Sequence, residues 1–194
     1  MCGWVLNTFL TREKEPMLTL FNSLIRSKLE FCCQVWSPFK KKDIARIEQI
    51  QRFFTFRIRG LQHFNYWERL KKLNIMSLQR RRERCILLHI FKIYTKVYPN
   101  TIDLEFKTSS RSKAVRAVLK PLPRVSCRLG TLYDSSFIVY AAKLWNILPP
   151  LITQIDCFKS FVTELDSFLS IVPDHPPLPG YPNINDNSLV QQCF

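Results

Sequence analysis

Met17, Leu20, Phe21, Leu24, Ile25 and Leu29 recur at steps of three and four residues, the spacing that gathers side chains on one face of a helix. Ser37-Pro38 follows. Because proline disfavours a helical residue before it, the pattern predicts a buried helix and then a turn. The clearest amphipathic segment spans residues 42–59. On a wheel of about 100° per residue, Ile44, Ile47, Ile50, Phe54 and Ile58 share a sector of about 120°. Lys42, Arg46, Gln49 and Arg57 gather at the opposite pole, with Arg52 at its flank. Phe53 and Phe56 also fall on the basic side. They either pack beneath a neighbouring element or present rings to nucleotides or sugars, and packing is the commoner use of such rings.

Gly60 supplies a stop, and Asn65 with Glu68 three residues on forms the pattern of a capping box, predicting a short helix through Leu73. Ser77 can cap the next helix, whose stripe is Ile86, Ile90, Ile93 and Val97, widened by Leu87 and Tyr94. Periodicity fails from Pro99 to Gly130, where Lys, Arg, Ser and Pro alternate as in a basic linker or extended arm. It resumes with Phe137, Ile138, Ala141, Leu144 and Trp145, a helix that Pro149-Pro150 ends. Asp156 is placed to cap a last helix carrying Phe158, Phe161, Leu165, Phe168 and Leu169. The final stretch, 173–194, holds 5 of the 12 prolines and no Lys or Arg, as a mobile or surface-draped tail would.

The expected architecture is therefore mainly α. A helical bundle spans 1–98, a basic irregular linker 99–130, a smaller helical unit 131–172 and a Pro/Asn-rich tail 173–194. At 46% apolar residues the chain is too hydrophobic to be wholly disordered. Trp36, Trp67 and Trp145 read as core anchors.

Charge changes this picture most. The chain carries 29 Lys+Arg against 15 Asp+Glu, a net +14. Residues 40–128 hold 23 of those cations and 6 of the acids, so this segment contains the whole positive excess. A polyanion neutralises such density most easily, and nucleic acid is the commonest. A membrane surface fits less well, since anionic lipid usually recruits one basic amphipathic helix. The bland alternative is a solvated basic face. Arg80, Arg81, Arg82 and Arg84 crowd the start of a helix, opposing the positive end of its dipole at a few tenths of a kcal/mol each, which a nearby phosphate backbone would relieve.

Signs of catalysis are absent. The 4 glycines are scattered and build no phosphate loop. The aspartates form no adjacent pair of the kind that holds two metal ions. No Ser or Cys is marked as a nucleophile beside a base. The 7 cysteines show no C-x-x-C spacing and the 3 histidines lie far apart, which argues against a disulfide framework and a zinc site. Without a signal peptide pattern or a run of ~20 apolar residues, the chain is expected in a reducing intracellular compartment, nuclear or cytoplasmic, and not secreted.

Several segments occur in a familiar order: LEFCCQVWSPFKKKDIARIEQIQRFFTFRIRGL, NYWERLKKLNIMSLQRRRERC, KLWNILPP and FKSFVTELDSFLSIVPDHPPLPGY. Together they closely resemble the region after the catalytic palm in reverse transcriptases (RNA-directed DNA polymerases) of jockey-like and related LINE-type non-LTR retrotransposons. The resemblance rests on Leu29-Glu30 before Trp36-Ser37-Pro38, Asp43 and Glu48 before Gln51-Arg52, Tyr66 with Glu68-Arg69-Leu70, Ser77-Leu78 before Arg80-Arg81-Arg82, and Trp145-Asn146 before Leu148-Pro149. It runs from about Trp4 to Tyr181.

In that family a helical thumb follows the palm and grips the template-primer duplex. The palm carries the metal-binding aspartates in an aromatic-Ala-Asp-Asp turn, which this sequence lacks. The resemblance implies a thumb and post-thumb fragment of a transposable element's polymerase, beginning inside a once continuous reading frame and not an enzyme by itself. It implies no cofactor in the fragment, the intact polymerase taking divalent metal ions on the missing palm. The implied partners are an RNA/DNA duplex or single-stranded nucleic acid, and the missing palm acting in trans. The residues expected to bind are Lys41, Lys42, Arg46, Gln49, Arg52 and Arg57 on the first basic helix, and Arg80, Arg81, Arg82 and Arg84 on the second. The alternative is a small helical protein-interaction module derived from a retrotransposon, or a non-functional relic.

Overall fold

The computed structural model describes residues 2–100, 104–109, 116–119, 136–175 and 187–193. The fold is mainly α, as the periodicity predicts. The chain divides into two compact units, the first comprising 1–82 with 174–187 and the second 83–173 with 188–194. The break falls inside a helix and not at Tyr98, where the periodicity placed it.

In the first unit, α1 (Cys2–Thr8) leads to α2 (Lys14–Leu20), which continues through a π-helical turn, Phe21–Arg26, into α3 (Ser27–Glu30). Hydroxyls bonded four residues back accompany the turn: Thr19 donates to the Glu15 carbonyl, Ser23 to Thr19 and Ser27 to Ser23. Such back-bonding competes with the regular ladder and bends helices. A short α4 (Cys33–Trp36) then precedes α5 (Lys41–Phe56). Gly60, at φ 77°, takes the left-handed turn by which the chain leaves α5. The capping box forms as expected at the start of α6 (Tyr66–Leu73): the Asn65 side chain accepts from Glu68 N at 3.0 Å, and Glu68 Oε2 accepts from Asn65 N at 2.9 Å. Val5, Leu6, Met17, Phe21, Ile25, Phe54, Ile58 and Leu73 make the core, with the Phe21 and Phe54 rings 5.1 Å apart.

α7 (Leu78–Tyr94) is capped by Ser77, whose hydroxyl accepts from Arg80 N at 3.2 Å. Its residues through Arg82 belong to the first unit and the rest to the second. Ile86, Leu87, Ile90 and Ile93 are buried, whereas Val97 lies beyond the helix end and is exposed.

The second unit departs from the sequence reading inside the expected irregular linker. There β1 (Phe106–Ser109) and β2 (Arg116–Leu119) pair antiparallel, with Phe106 opposite Leu119. Asn146 holds this edge, donating to the Leu119 carbonyl at 2.9 Å and accepting from Leu119 N at 3.1 Å. α8 (Phe137–Ile147) ends before the two prolines, and Pro150 opens the short α9 (Pro150–Thr153). α10 (Phe158–Ile171) has Cys157 at its N-cap in place of the expected Asp156. Its Phe161 stacks on Phe91 at 4.0 Å and lies 6.1 Å from the fully buried Trp145. The sequence read as tail is helical at its described end, where α11 (Leu189–Gln192) buries Leu189; residues 176–186 of that tail lie outside the described residues. Cys2, Cys32, Cys33, Cys85, Cys157 and Cys193 are free thiols. Among the described residues no helix is long and apolar enough to cross a membrane.

Candidate nucleic-acid interface

The interface is built on α5, whose orientation is fixed by what its rear face buries. Ile44 and Phe54 are buried as the wheel predicts, but so are Glu48, Gln51 and Thr55. Glu48 reaches the N-terminus of α7, accepting from Leu78 N at 3.1 Å and Gln79 N at 3.3 Å, and takes a further hydrogen bond from the Tyr66 hydroxyl. Gln51 Nε2 donates to the Met76 carbonyl at 3.0 Å. Arg69, buried on α6, donates to Thr55 Oγ1 at 3.3 Å and to the carbonyls of Phe64 at 2.8 Å and Arg52 at 3.3 Å. These bonds pin α5 to α6 and to the start of α7, and they leave the opposite face of α5 to solvent.

That face carries Lys42, Arg46, Gln49, Phe53, Phe56 and Arg57, all exposed, and Lys41 is exposed at the first residue of the helix. Asp43 Oδ1 lies 3.6 Å from Arg46 Nη1, an exposed pairing worth little in water. Arg57 sits over the Phe53 ring at 5.0 Å and Arg69 over Phe56 at 5.5 Å. Arg52 is only partly exposed, its guanidinium 4.9 Å over the Tyr66 ring, so it belongs to the margin of the face. Gln49 adds a neutral donor and acceptor at the centre.

The second expected site does not face solvent in this way. Arg80 is fully buried and Arg82 nearly so. Arg80 Nη2 donates to the Asn187 carbonyl at 3.5 Å and Nε lies 4.0 Å from Asp174 Oδ1. Arg81 forks onto Glu30, with Nη2 to Oε2 at 2.9 Å, and Arg84 onto Asp166 at 2.5 and 2.8 Å. The expectation that Arg80, Arg81, Arg82 and Arg84 form a phosphate-binding run is therefore corrected: they are structural cations, spent on burial and on carboxylates brought from distant parts of the chain. Ser77, in the same region, gives its N–H and hydroxyl to Asp174 at 2.7 Å each, and Asn187 Nδ2 donates to Ser77 Oγ at 3.2 Å.

Beyond the C-terminal end of α5 the surface opens into a cleft of 460 Å³ lined by Leu10, Thr11, Arg12, Glu13, Arg57, Arg59 and Gln62. Arg59 N donates to the Arg12 carbonyl at 2.8 Å, and Arg59 Nη1 pairs with Glu13 at 3.1 Å, both side chains of the pair exposed. The Arg12 guanidinium is committed to carbonyls at the end of α1, Leu6 at 2.6 Å and Phe9, and to Thr11 at 2.9 Å. The wheel over 42–59 assigns Arg59 to neither pole, and Gln62 lies past it; both lie beyond the helix end at Phe56. Only the signal of Arg57-Ile58-Arg59 before a glycine could have drawn attention to them.

Burial shapes the titration of the supporting groups. It pushes the Glu48 carboxyl above its ordinary value, against hydrogen bonds from Tyr66 and Leu78 that pull it down. Burial and the neighbouring Glu48 raise the Tyr66 phenol well above its usual value, and burial lowers Arg69. Among the described residues no three of His, Cys, Asp and Glu gather as a metal-binding group. Compared with protein-family models, with curated proteins and with solved structures, the chain matches none.

Proposed function

We propose that this chain binds nucleic acid without sequence preference, as the non-catalytic thumb and post-thumb part of a LINE-type reverse transcriptase that lacks its palm. The observation that carries the binding is the exposed face of α5, where Lys42, Arg46 and Arg57 flank Gln49, with Lys41 exposed at the helix start and Asp43 as the one acid on the helix that is not buried. A row of cations on a helix held rigidly from behind suits a phosphate backbone, which has regular charge and no sequence information. The sequence resemblance supplies the polymerase context.

Charge reversal tests the choice of face. Lys42→Glu with Arg46→Glu should weaken duplex binding several-fold more than Lys143→Glu with Lys159→Glu, two exposed lysines on α8 and α10. Equal losses, read by fluorescence anisotropy, would refute the assignment to α5.

A second reading, a protein-interaction module, is favoured by one observation. Phe31, Val35, Trp36 and Phe39 around α4 are 75%, 88%, 39% and 52% exposed, a concentration of apolar surface of the kind that marks association sites. Trp36 is thus not the core anchor expected of it.

A further inference from the structure

We infer that the C-terminal half of the α5 face is a stacking platform for unpaired bases, so that the nucleic acid it holds is single-stranded where it passes Phe53 and Phe56. The inference rests on the proposed nucleic-acid binding and names its substrate more narrowly.

Three observations support it. Phe53 and Phe56 are each 45% exposed on a helix whose other large apolar side chains turn inward. Full burial of such a ring would gain roughly 1.5–3 kcal/mol, and here much of that gain is forgone at two positions one turn apart. Neighbouring Cβ atoms at that spacing lie about 5–6 Å apart, so both rings offer themselves on one surface. Second, each ring is layered with a guanidinium, Arg57 on Phe53 and Arg69 on Phe56. Arg69 cannot swing away, because Thr55, Phe64 and Arg52 hold three of its donor groups. Guanidinium planes and aromatic faces are both surfaces on which bases stack; the exposed Arg57 offers its plane together with the rings, and the buried Arg69 backs Phe56 from within.

Third, the order of residues along α5 matches a strand in charge. Lys42, Arg46, Gln49, Phe53, Phe56 and Arg57 occupy a stripe of about 100° on the wheel. Lys42 precedes Phe53 by about 16 Å at the helical rise, and Arg57 with Arg59 follows the rings. A single strand lying along this stripe meets cations on both sides of the rings. A duplex gains little from the phenyl groups, because its bases are stacked inside and it presents sugar and phosphate. An acidic peptide would use the same cations but has no requirement for an aromatic plane.

The test compares the intact chain with its Phe53→Leu/Phe56→Leu variant, which keeps apolar area and removes the rings. Labelled oligothymidylate of about 16 nucleotides and a mixed-sequence duplex serve as probes, the length covering the usual site size. Stacking of one base is worth about 1–3 kcal/mol, or about 5- to 150-fold. The expected result is a loss of at least about tenfold for oligothymidylate, little change for the duplex, and an unaltered thermal melt. The slope of log K against log salt should stay the same, because the substitution removes no charge. If both probes bind and the variant loses nothing on oligothymidylate, or loses equally on both, the stacking platform is overturned while the proposed binding stands. If the unaltered chain binds neither probe, the proposed function and this inference both fall.

Discussion

Glu48 ties α5 to α6 and to the start of α7, and its contribution has a sign that pH exposes. Its carboxylate reaches the first N–H groups of α7, a favourable position for negative charge, yet burial outweighs that benefit and raises its pKa. An acid with a higher pKa folded than unfolded binds its proton more tightly in the native state. Its stabilising contribution is therefore complete below the unfolded value and is lost as pH rises through the folded one. Glu48→Gln has no proton to lose, so the stability of the native chain minus that of the variant should fall as pH climbs from the ordinary glutamate range toward neutrality. Urea denaturation at a series of pH values checks this; a difference that stays flat or rises would show that burial does not dominate. The arginines give the complementary lesson. Their number was legible in the sequence, but their use was not. Arg81 meets Glu30 from 51 residues away and Arg84 meets Asp166 from 82. Nothing local in QRRRERC distinguishes a buried Arg80 from an exposed one.

Among the elements, legibility followed the range of the forces that set them. Caps are local, and the capping box at Asn65 and Glu68, the Ser77 cap and the Gly60 exit all stand where the sequence puts them. The apolar stripe of α5 also stands, because helical periodicity and burial agree there. Asn65→Ala should cost about 0.5–2 kcal/mol by releasing the Glu68 N–H and the first turn of α6, measured as a shift in the urea midpoint; no shift would mean that tertiary contacts alone hold this end. The strands escaped notice because Phe106 and Leu119 find their order through pairing and through Asn146, 27 residues beyond Leu119. The polar residues on the rear of α5 escaped for a related reason: a wheel sorts side chains by hydrophobicity, and Glu48, Gln51 and Thr55 are buried by virtue of partners on other elements. Packing is the commoner use of rings such as Phe53 and Phe56, and at 45% exposure neither is packed away completely.

For the whole molecule, the described cations behind the excess of +14 meet different physical fates. One part is structural, in Arg69, Arg80, Arg81, Arg82 and Arg84, where burial and carboxylate or carbonyl partners account for the charge. Another part faces solvent, and on and beside α5 it comprises Lys40, Lys41, Lys42, Arg46 and Arg57. The solvent-facing part motivates the proposal of nucleic-acid binding, and it makes the proposal quantitative. If these five cations each neutralise one phosphate, binding releases about five condensed counterions' worth of charge. The measurement that tests this most directly is the affinity of the intact chain for a mixed-sequence duplex over a range of salt concentrations. The account predicts that log K falls linearly with log salt at a slope of about −4 to −5, whereas an affinity that is the same at low and moderate salt would contradict it.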